Sequence, residues 1–221
     1  MLRITSNTNF VGPHQNQPVL MAGADIKDAK AVMIMVHGRG ASAESILQFA
    51  QEFNHTDKIT FIACQAQGST WYPYSFLAPT EQNQPGLNSG LQAIFNLLEI
   101  AKEHGFTDDQ IFLLGFSQGA CLASEFVARH PSKYAGLIAL SGGVIGDKVI
   151  LENYTGDLKQ TPVFLGCSDI DPHIPLERVN ETNSVFEHLN AKITKKIYPG
   201  MGHTVNEDEI KHINLMLDSI I

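Results

Sequence analysis

Short strand-like runs recur along the chain, and helical patterns separate most of them. The runs lie at 31–38, 59–64, 111–115, 136–140, 162–166 and 192–198. The first, AVMIMVHG, is apolar up to its final histidine and glycine, which is typical of a strand buried on both faces. Buried strands that alternate with amphipathic helices predict a mostly parallel central sheet with helices on both faces. We therefore expect the α/β class, with any active site beyond the carboxyl ends of the strands.

The helical patterns extend over most of the remaining chain. They lie at about 42–53, 87–104, 118–129 and 176–190, and a last one begins near Glu207. This last helix is expected to bury four residues at helical spacing, Ile210, Ile213, Leu217 and Ile220. Two apolar pieces near the start, at 2–4 and 19–21, are expected to pair as an antiparallel hairpin. No linker, internal repeat or low-complexity tract interrupts the pattern, so we expect one domain over residues 1–221.

Charge and cysteine content narrow the function classes. The formal net charge of −8 argues against nucleic acid or an anionic membrane as the main partner. The first ten residues hold no signal-peptide core, and no apolar run approaches the ~20 residues of a membrane span, so we expect a soluble, cytoplasmic protein without integral membrane association. Cys64, Cys121 and Cys167 are widely spaced, without a CxxC pair. They are expected to be core thiols, with neither a zinc site nor a disulfide framework.

The motif Gly-Phe-Ser-Gln-Gly, at 115–119, lies where a predicted strand passes into a predicted helix. A serine between two glycines at such a junction forces a sharp, strained turn that exposes its hydroxyl, as in a nucleophile elbow. The junction also places Ser117 near the N-terminus of the helix, whose free N–H groups stabilise negative charge. The alternative is a serine that caps the helix between two packing glycines. We expect Ser117 to be a nucleophile.

A serine nucleophile needs a base and an orienting carboxylate, each placed after the end of a later strand. Asp169 and Asp171 follow the run 162–166, and His203 follows the run 192–198. Pro172 stiffens the backbone after Asp171, which favours Asp171 only slightly, so both aspartates stay open here. His173 is a competing base in the acid's own loop. The other histidines outside the candidate site are expected on polar faces or helix ends: His14, His55, His104, His130, His188 and His212.

The developing oxyanion needs two backbone donors. One is expected to be the N–H of Gln118, and the other the N–H of Arg39 in the loop HGRGAS. The alternative is that this loop merely ends a strand, and the Arg39 side chain is either incidental or faces an anionic substrate. The long loop 65–86 is rich in aromatic residues, and Trp71 and Phe76 are expected to form an apolar wall of the substrate pocket. The alternative for this loop is ordinary packing.

Four stretches taken together, VHGRGAS, GFSQGACLA, DPHIP and YPGMGHT, resemble the phospholipase/carboxylesterase branch of the α/β-hydrolase superfamily, which includes acyl-protein thioesterases. The resemblance extends over nearly the whole chain from about Ala31. It implies the α/β-hydrolase fold, here without a separate cap domain, and it places the acid at Asp171 and an oxyanion donor at Arg39. Two features depart from the family pattern. The first loop reads His-Gly-Arg-Gly-Ala where many thioesterases have His-Gly-Leu-Gly-Asp, and two additional residues separate Gly166 from the acid.

We therefore expect a serine hydrolase that cleaves carboxylic esters, and possible further substrates are thioesters or lysophospholipids. The expected route is an acyl-enzyme with the triad Ser117, Asp171 and His203, a small-molecule ester as substrate, and no metal or organic cofactor. Apolar helices at a sheet edge favour a homodimer. One alternative is a catalytically silent ligand-binding module, and another is a dienelactone-hydrolase-like or peptidase-like enzyme. Serine at the elbow argues against a dienelactone-hydrolase-like enzyme, and the lack of a gating domain argues against a peptidase-like enzyme.

Overall fold

An eight-stranded sheet forms the centre of the computed structural model, which describes residues 2–5 and 12–221. Its strands are β1 (Leu2–Thr5), β2 (Pro18–Gly23), β3 (Ala31–Val36), β4 (Ile59–Cys64), β5 (Ile111–Phe116), β6 (Gly136–Leu140), β7 (Pro162–Ser168) and β8 (Lys192–Tyr198). Their order across the sheet is β1-β2-β4-β3-β5-β6-β7-β8. Strands β3 to β8 are parallel, and β1 and β2 are antiparallel. The predicted α/β class, with a mostly parallel sheet, is confirmed.

Helices cover both faces of the sheet. They are α1 (Ala43–Gln48), α2 (Gly86–Glu103), α3 (Gln118–Arg129), α4 (Leu176–His188) and α5 (Glu207–Asp218). Helices α2, α3 and α4 pack on one face, and α1 and α5 pack on the other. Every residue of β3, β4 and β6 is buried, because these central strands have helices on both sides.

Most predicted elements are confirmed within two residues, and the differences are at element ends. The α1 segment changes to a 3-10 turn at Phe49–Glu52, and β7 extends two residues beyond the predicted strand. The N-terminal hairpin is confirmed as the β1–β2 pair, and β2 also pairs with β4. Ser42 caps α1 through a hydrogen bond from the Ser45 N–H.

The inner face of α5 differs from the prediction. Ile213 and Leu217 are buried, but Ile210 is half-buried and Ile220 lies beyond the end of the helix, 37% exposed. The place of an apolar residue is taken by Glu209, whose side chain is fully buried. The reason is the helix cap: the Asn206 side chain accepts from the Glu209 N–H, and the Glu209 carboxylate turns back to accept from the Asn206 N–H.

The three cysteines are buried free thiols, as predicted. Burial raises the pKa of Cys64 and of Cys121 to about 12, so both thiols are protonated at neutral pH. Over residues 2–5 and 12–221, no cluster of three or more histidine, cysteine, aspartate or glutamate side chains has the arrangement of a metal site. In the same residues, no helix combines the length and the apolar character needed to cross a membrane.

Four chain segments meet at the carboxyl edge of the sheet. They follow β3, β5, β7 and β8, and they carry Arg39, Ser117, the two aspartates and His203. Because these strands are parallel, their carboxyl ends lie side by side, and residues far apart in sequence come together there.

Candidate active site

The turn between β5 and α3 holds Ser117 in a strained backbone conformation. Its φ is 56° and its ψ is −123°, a region that residues with a side chain rarely adopt. The flanking glycines are required by close backbone approach, because a Cβ at Gly115 would overlap the Gly119 carbonyl and a Cβ at Gly119 would overlap the Val36 carbonyl. The sharp turn predicted from the sequence is therefore present, and the serine hydroxyl faces a cavity.

A chain of hydrogen bonds joins Ser117, His203 and Asp171. The distance from His203 Nε2 to Ser117 Oγ is 2.9 Å, and the distance from His203 Nδ1 to Asp171 Oδ2 is 2.7 Å. The Asp171 carboxylate is fully buried, whereas the His203 side chain is 18% exposed. This arrangement lets the imidazole take a proton from the serine on one side while the carboxylate fixes it on the other.

Two opposing effects act on the Asp171 carboxyl. Burial works to raise its pKa, but hydrogen bonds from His203 and from the backbone N–H groups of His173 and Ile174 outweigh burial and lower the pKa below its usual value. Asp171 is therefore ionised at neutral pH and can stabilise a charged imidazole.

The other aspartate of the loop has a different contact. Asp169 Oδ1 accepts a hydrogen bond of 2.8 Å from the Gly200 N–H, so it ties the acid loop to the loop that carries His203. Ser168 Oγ does the same through the Gly202 N–H, at 3.1 Å. The competing base, His173, packs edge-on against His203 with ring centroids 4.8 Å apart and is not part of the hydrogen-bond chain.

The two residues expected to donate to the oxyanion lie in segments that adjoin Ser117. The N–H of Gln118 is the first of α3, a position without a partner inside the helix. Arg39 follows Gly38, where a Cβ would lie 3.3 Å from the Ser117 Cβ, so the loop after β3 passes directly over the serine. Arg39 and Gln118 both line the cavity that Ser117 faces.

The Arg39 side chain binds the backbone of the aromatic loop, a role that the sequence does not indicate. Its guanidinium donates to the carbonyl oxygens of Tyr72 and Tyr74, both at 2.8 Å, and to that of Pro73 at 3.0 Å. It is therefore not incidental, because it fastens the aromatic loop beside the site. Three carbonyls that face one guanidinium use the planar fork of arginine, which lysine does not have.

Gln118 fastens the same loop from the other side. Its Oε1 accepts from the Trp71 N–H at 3.0 Å, and its Nε2 donates to the Tyr72 carbonyl at 2.9 Å. The sequence predicts a role only for the backbone N–H of Gln118. These contacts join residues more than 45 positions apart, which local patterns do not reveal.

Trp71 does not line the cavity that Ser117 faces, so the prediction that it forms a wall there is wrong. Its side chain is fully buried, and its indole N–H donates to the His37 carbonyl at 2.8 Å. A buried indole needs a partner for its N–H, and it finds one at the end of β3 behind the cavity. Phe76, the other aromatic residue expected there, does line the cavity.

His14 was expected on a polar surface, and it is buried instead. Its Nε2 donates to the Trp71 carbonyl at 2.8 Å, and its Nδ1 accepts from the Gln67 N–H at 3.1 Å. Burial lowers the pKa of His14, so the ring is neutral at neutral pH and serves as a link between the N-terminal segment and the aromatic loop.

Two cavities meet at the candidate site. The larger has a volume of about 610 Å³ and is lined by Ser117, Gln118, Phe76 and Ile174, among others. The smaller has a volume of about 390 Å³ and lies between the α1 segment and the chain that follows His203. Both volumes fall in the range of small-molecule sites.

Comparison with known proteins gives a consistent result. The model of the phospholipase/carboxylesterase family matches residues 21–221. Acyl-protein thioesterase 1 of Kluyveromyces lactis is 30% identical over 206 residues, which cover 84% of this chain and 90% of that protein. A probable carboxylesterase of Arabidopsis thaliana is 24% identical over 206 residues, with 86% of this chain and 78% of that protein covered. The crystal structure of a phospholipase/carboxylesterase from Dyadobacter fermentans has a TM-score of 0.89 at 40% identity and covers 95% of this chain and all of that one.

Proposed function

Since the chain belongs to the phospholipase/carboxylesterase family, we propose that it cleaves its substrate through an acyl-enzyme formed on Ser117. The fold is the α/β-hydrolase fold, and the protein is a carboxylic ester hydrolase of a family that includes esterases and thioesterases. The observation that carries the proposal is the hydrogen-bond chain from Ser117 Oγ through His203 to Asp171.

In the first half of the reaction, Ser117 Oγ attacks the substrate carbonyl and its proton passes to His203 Nε2. Asp171 accepts a hydrogen bond from Nδ1–H, which holds the required tautomer and stabilises the imidazolium. The N–H groups of Arg39 and Gln118 stabilise the oxyanion, a type of donor worth about 3 kcal/mol each. His203 then gives its proton to the leaving oxygen or sulfur, and the acyl group stays on Ser117.

In the second half, water replaces the alcohol or thiol. His203 takes a proton from the water as it attacks the acyl-enzyme, and then returns that proton to Ser117 Oγ as the carboxylic acid leaves. Every proton in this route is carried by one imidazole, and the route calls on no metal or organic cofactor.

The strained elbow and the hydrogen-bonded triad support an enzyme over a catalytically silent binding module, since binding alone does not need a serine held against a histidine. We also propose a cytoplasmic protein of one domain that acts on small-molecule esters. The homodimer stays a prediction.

The experiment that tests the mechanism pairs two aspartate variants with a serine variant. Ser117→Ala is expected to lower kcat/KM on p-nitrophenyl butyrate by at least about 10⁴-fold, and Asp171→Asn by about 10³-fold or more. Asp169→Asn makes the same chemical change two residues away and should keep most of the activity, because Asp169 contacts Gly200 and not His203. Intact-mass measurement should find the butyryl adduct on wild type and not on Ser117→Ala. Equal losses in the two aspartate variants, or an adduct on Ser117→Ala, would refute the assignment.

A further inference from the structure

The smaller cavity adjoins the larger one at a small set of shared residues. Gly38, Ala41, Phe116 and His203 line both cavities. Ser117 and Gln118, however, line only the larger cavity. The nucleophile and an oxyanion donor therefore belong to the larger cavity, and the imidazole of His203 belongs to both.

The proposed mechanism distinguishes the two ends of an ester by these same groups. The carbonyl carbon must lie at Ser117 Oγ and its oxygen at the Gln118 N–H, whereas the leaving oxygen must lie where His203 can protonate it. A cavity lined by His203, and by neither Ser117 nor Gln118, has the position that the leaving group needs. The acyl group then takes the larger cavity, against Phe76 and Ile174.

The walls of the smaller cavity are mainly apolar. Ile46 and Phe49 of the α1 segment face it from one side and Val205 from the other, and its polar contributions include Ser45 and Thr204. Its lining in the described part of the chain includes no lysine or arginine. Such walls favour an apolar group and offer an anion no lysine or arginine.

A neighbouring cavity carries negative charge. Phe49 and Val205 also line this neighbouring cavity of about 290 Å³, which includes Glu52 and Glu207. Arg39 lines the larger cavity and not the smaller one, and its guanidinium donates to three backbone carbonyls. A phosphate or carboxylate on a leaving group that reaches this neighbouring cavity would therefore lie near two carboxylates.

We propose that the cavity between Ile46, Phe49 and Val205 binds the alcohol part of the ester and selects an uncharged, apolar alcohol over an anionic one. This leaving-group cavity rests on the proposed function, because it requires His203 as the proton donor. When the tetrahedral intermediate collapses, the bond between the carbonyl carbon and the alcohol oxygen breaks, and the proton on His203 Nε2 moves to that oxygen. The alcohol departs through the leaving-group cavity, and the acyl group remains on Ser117.

The reverse of this step gives a direct assay. An alcohol bound in the leaving-group cavity gives its proton to His203 and attacks the acyl-enzyme, which yields a new ester and free Ser117. With p-nitrophenyl acetate as acyl donor, hexanol and 6-hydroxyhexanoate compete with water, and hexyl acetate, acetoxyhexanoate and acetate are quantified by chromatography. Hexanol capture is expected to saturate and to exceed 6-hydroxyhexanoate capture by at least about tenfold at equal concentration.

Two variants separate this cavity from its neighbour. Phe49→Ala is expected to lower the ratio of hexanol capture to hydrolysis by about tenfold, since it removes an aromatic wall. Phe76→Ala, the same change in the larger cavity, is expected to alter the preference between acetyl and octanoyl esters and to leave the alcohol ratio unchanged. Val205→Lys places a cation in the wall and is expected to raise 6-hydroxyhexanoate capture at least about tenfold, a gain that misfolding does not produce.

Each contrary result has its own meaning. If wild type forms an acyl-enzyme but captures both alcohols equally and without saturation, the leaving-group cavity is wrong and the proposed function stands. If Phe49→Ala changes acyl preference and Phe76→Ala changes alcohol preference, the two cavities have the opposite assignment and the proposal is overturned. If wild type forms no acyl-enzyme, the proposed function and this inference fail together.

Discussion

Glu209 is a buried acid outside the triad. Its Oε2 accepts from the Asn206 N–H at 2.9 Å, but its Oε1 has no hydrogen-bond partner in the described part of the chain and lies against Gly166. Burial, with a smaller contribution from neighbouring Asp208, raises the pKa of Glu209 to about 7. At mildly acidic pH the Glu209 carboxyl is therefore protonated in the folded protein, whereas the same carboxyl is ionised in the unfolded chain.

The sign of the effect on stability follows from that difference. Between the ordinary glutamate pKa of 4.5 and the raised value of about 7, the folded state holds a proton that the unfolded state has lost, so the free energy of unfolding falls as pH rises. Glu209→Gln keeps the shape and cannot ionise. We expect the variant to match wild type near pH 4.5 and to be more stable at pH 8 by on the order of 2 kcal/mol. Urea unfolding at the two pH values measures this.

Glu207 provides the matched control, because it is exposed in the first turn of the same helix. Glu207→Gln removes the same charge and should change stability by only a few tenths of a kcal/mol at either pH. If Glu209→Gln is no more stable than wild type at pH 8, or if Glu207→Gln gives the same gain, burial of the Glu209 carboxyl is not the cause.

At the scale of elements, the contact between α3 and β3 sets the position of the nucleophile. A Cβ on Gly119 would overlap the Val36 carbonyl and lie 2.6 Å from the His37 carbonyl, so the first turn of α3 packs directly on the end of β3. Neither neighbour is a side chain that could rotate away. A methyl group at 119 must move the helix that begins beside Ser117.

Gly119→Ala is therefore expected to lower the free energy of unfolding by about 3 kcal/mol or more and to reduce kcat/KM sharply. Gly105→Ala is the control, since Gly105 follows α2 with a φ of +92° and no atom lies within 4 Å of an added Cβ. That change costs only the backbone strain, about 1 kcal/mol, and leaves activity intact. Urea unfolding and esterase assays on both variants provide the comparison, and equal losses would contradict the close contact.

The same elements show which parts of the fold and of the candidate site can be predicted from the sequence. Apolar runs such as 111–115 indicate buried strands, because helices cover both faces of the sheet. Ser117, His203 and the aspartates each follow the end of such a strand, and this order alone predicts that they lie at one edge of the sheet. The position predicted for Trp71 is wrong because the sequence signal of an aromatic loop residue is the same whether its side chain faces a cavity or the core. Its position depends on the His37 carbonyl, 34 residues away. Glu209 had a local signal, since Asn206 and Glu209 have the spacing of a capping box.

At the scale of the whole molecule, two apolar layers share one sheet. One layer contains residues from Val19 to Leu189, and the other contains residues from Leu20 to Leu217. Neighbouring residues of β3 belong to opposite layers: Ile34 packs in the first and Met35 in the second. Neither layer can open without disrupting strands that carry the other.

This sharing predicts that the protein unfolds in one cooperative transition, as the expectation of one domain requires. Trp71 is the only tryptophan and belongs to the aromatic loop at the site, so its fluorescence reports on that loop while far-ultraviolet circular dichroism reports on the whole fold. The two thermal transitions should coincide, with equal calorimetric and van't Hoff enthalpies of about 150 kcal/mol. A fluorescence transition at lower temperature would instead show that the loop bound by Arg39 and Gln118 melts as a separate unit.

A Tm that rises with protein concentration would support the homodimer, because association stabilises only the folded chain.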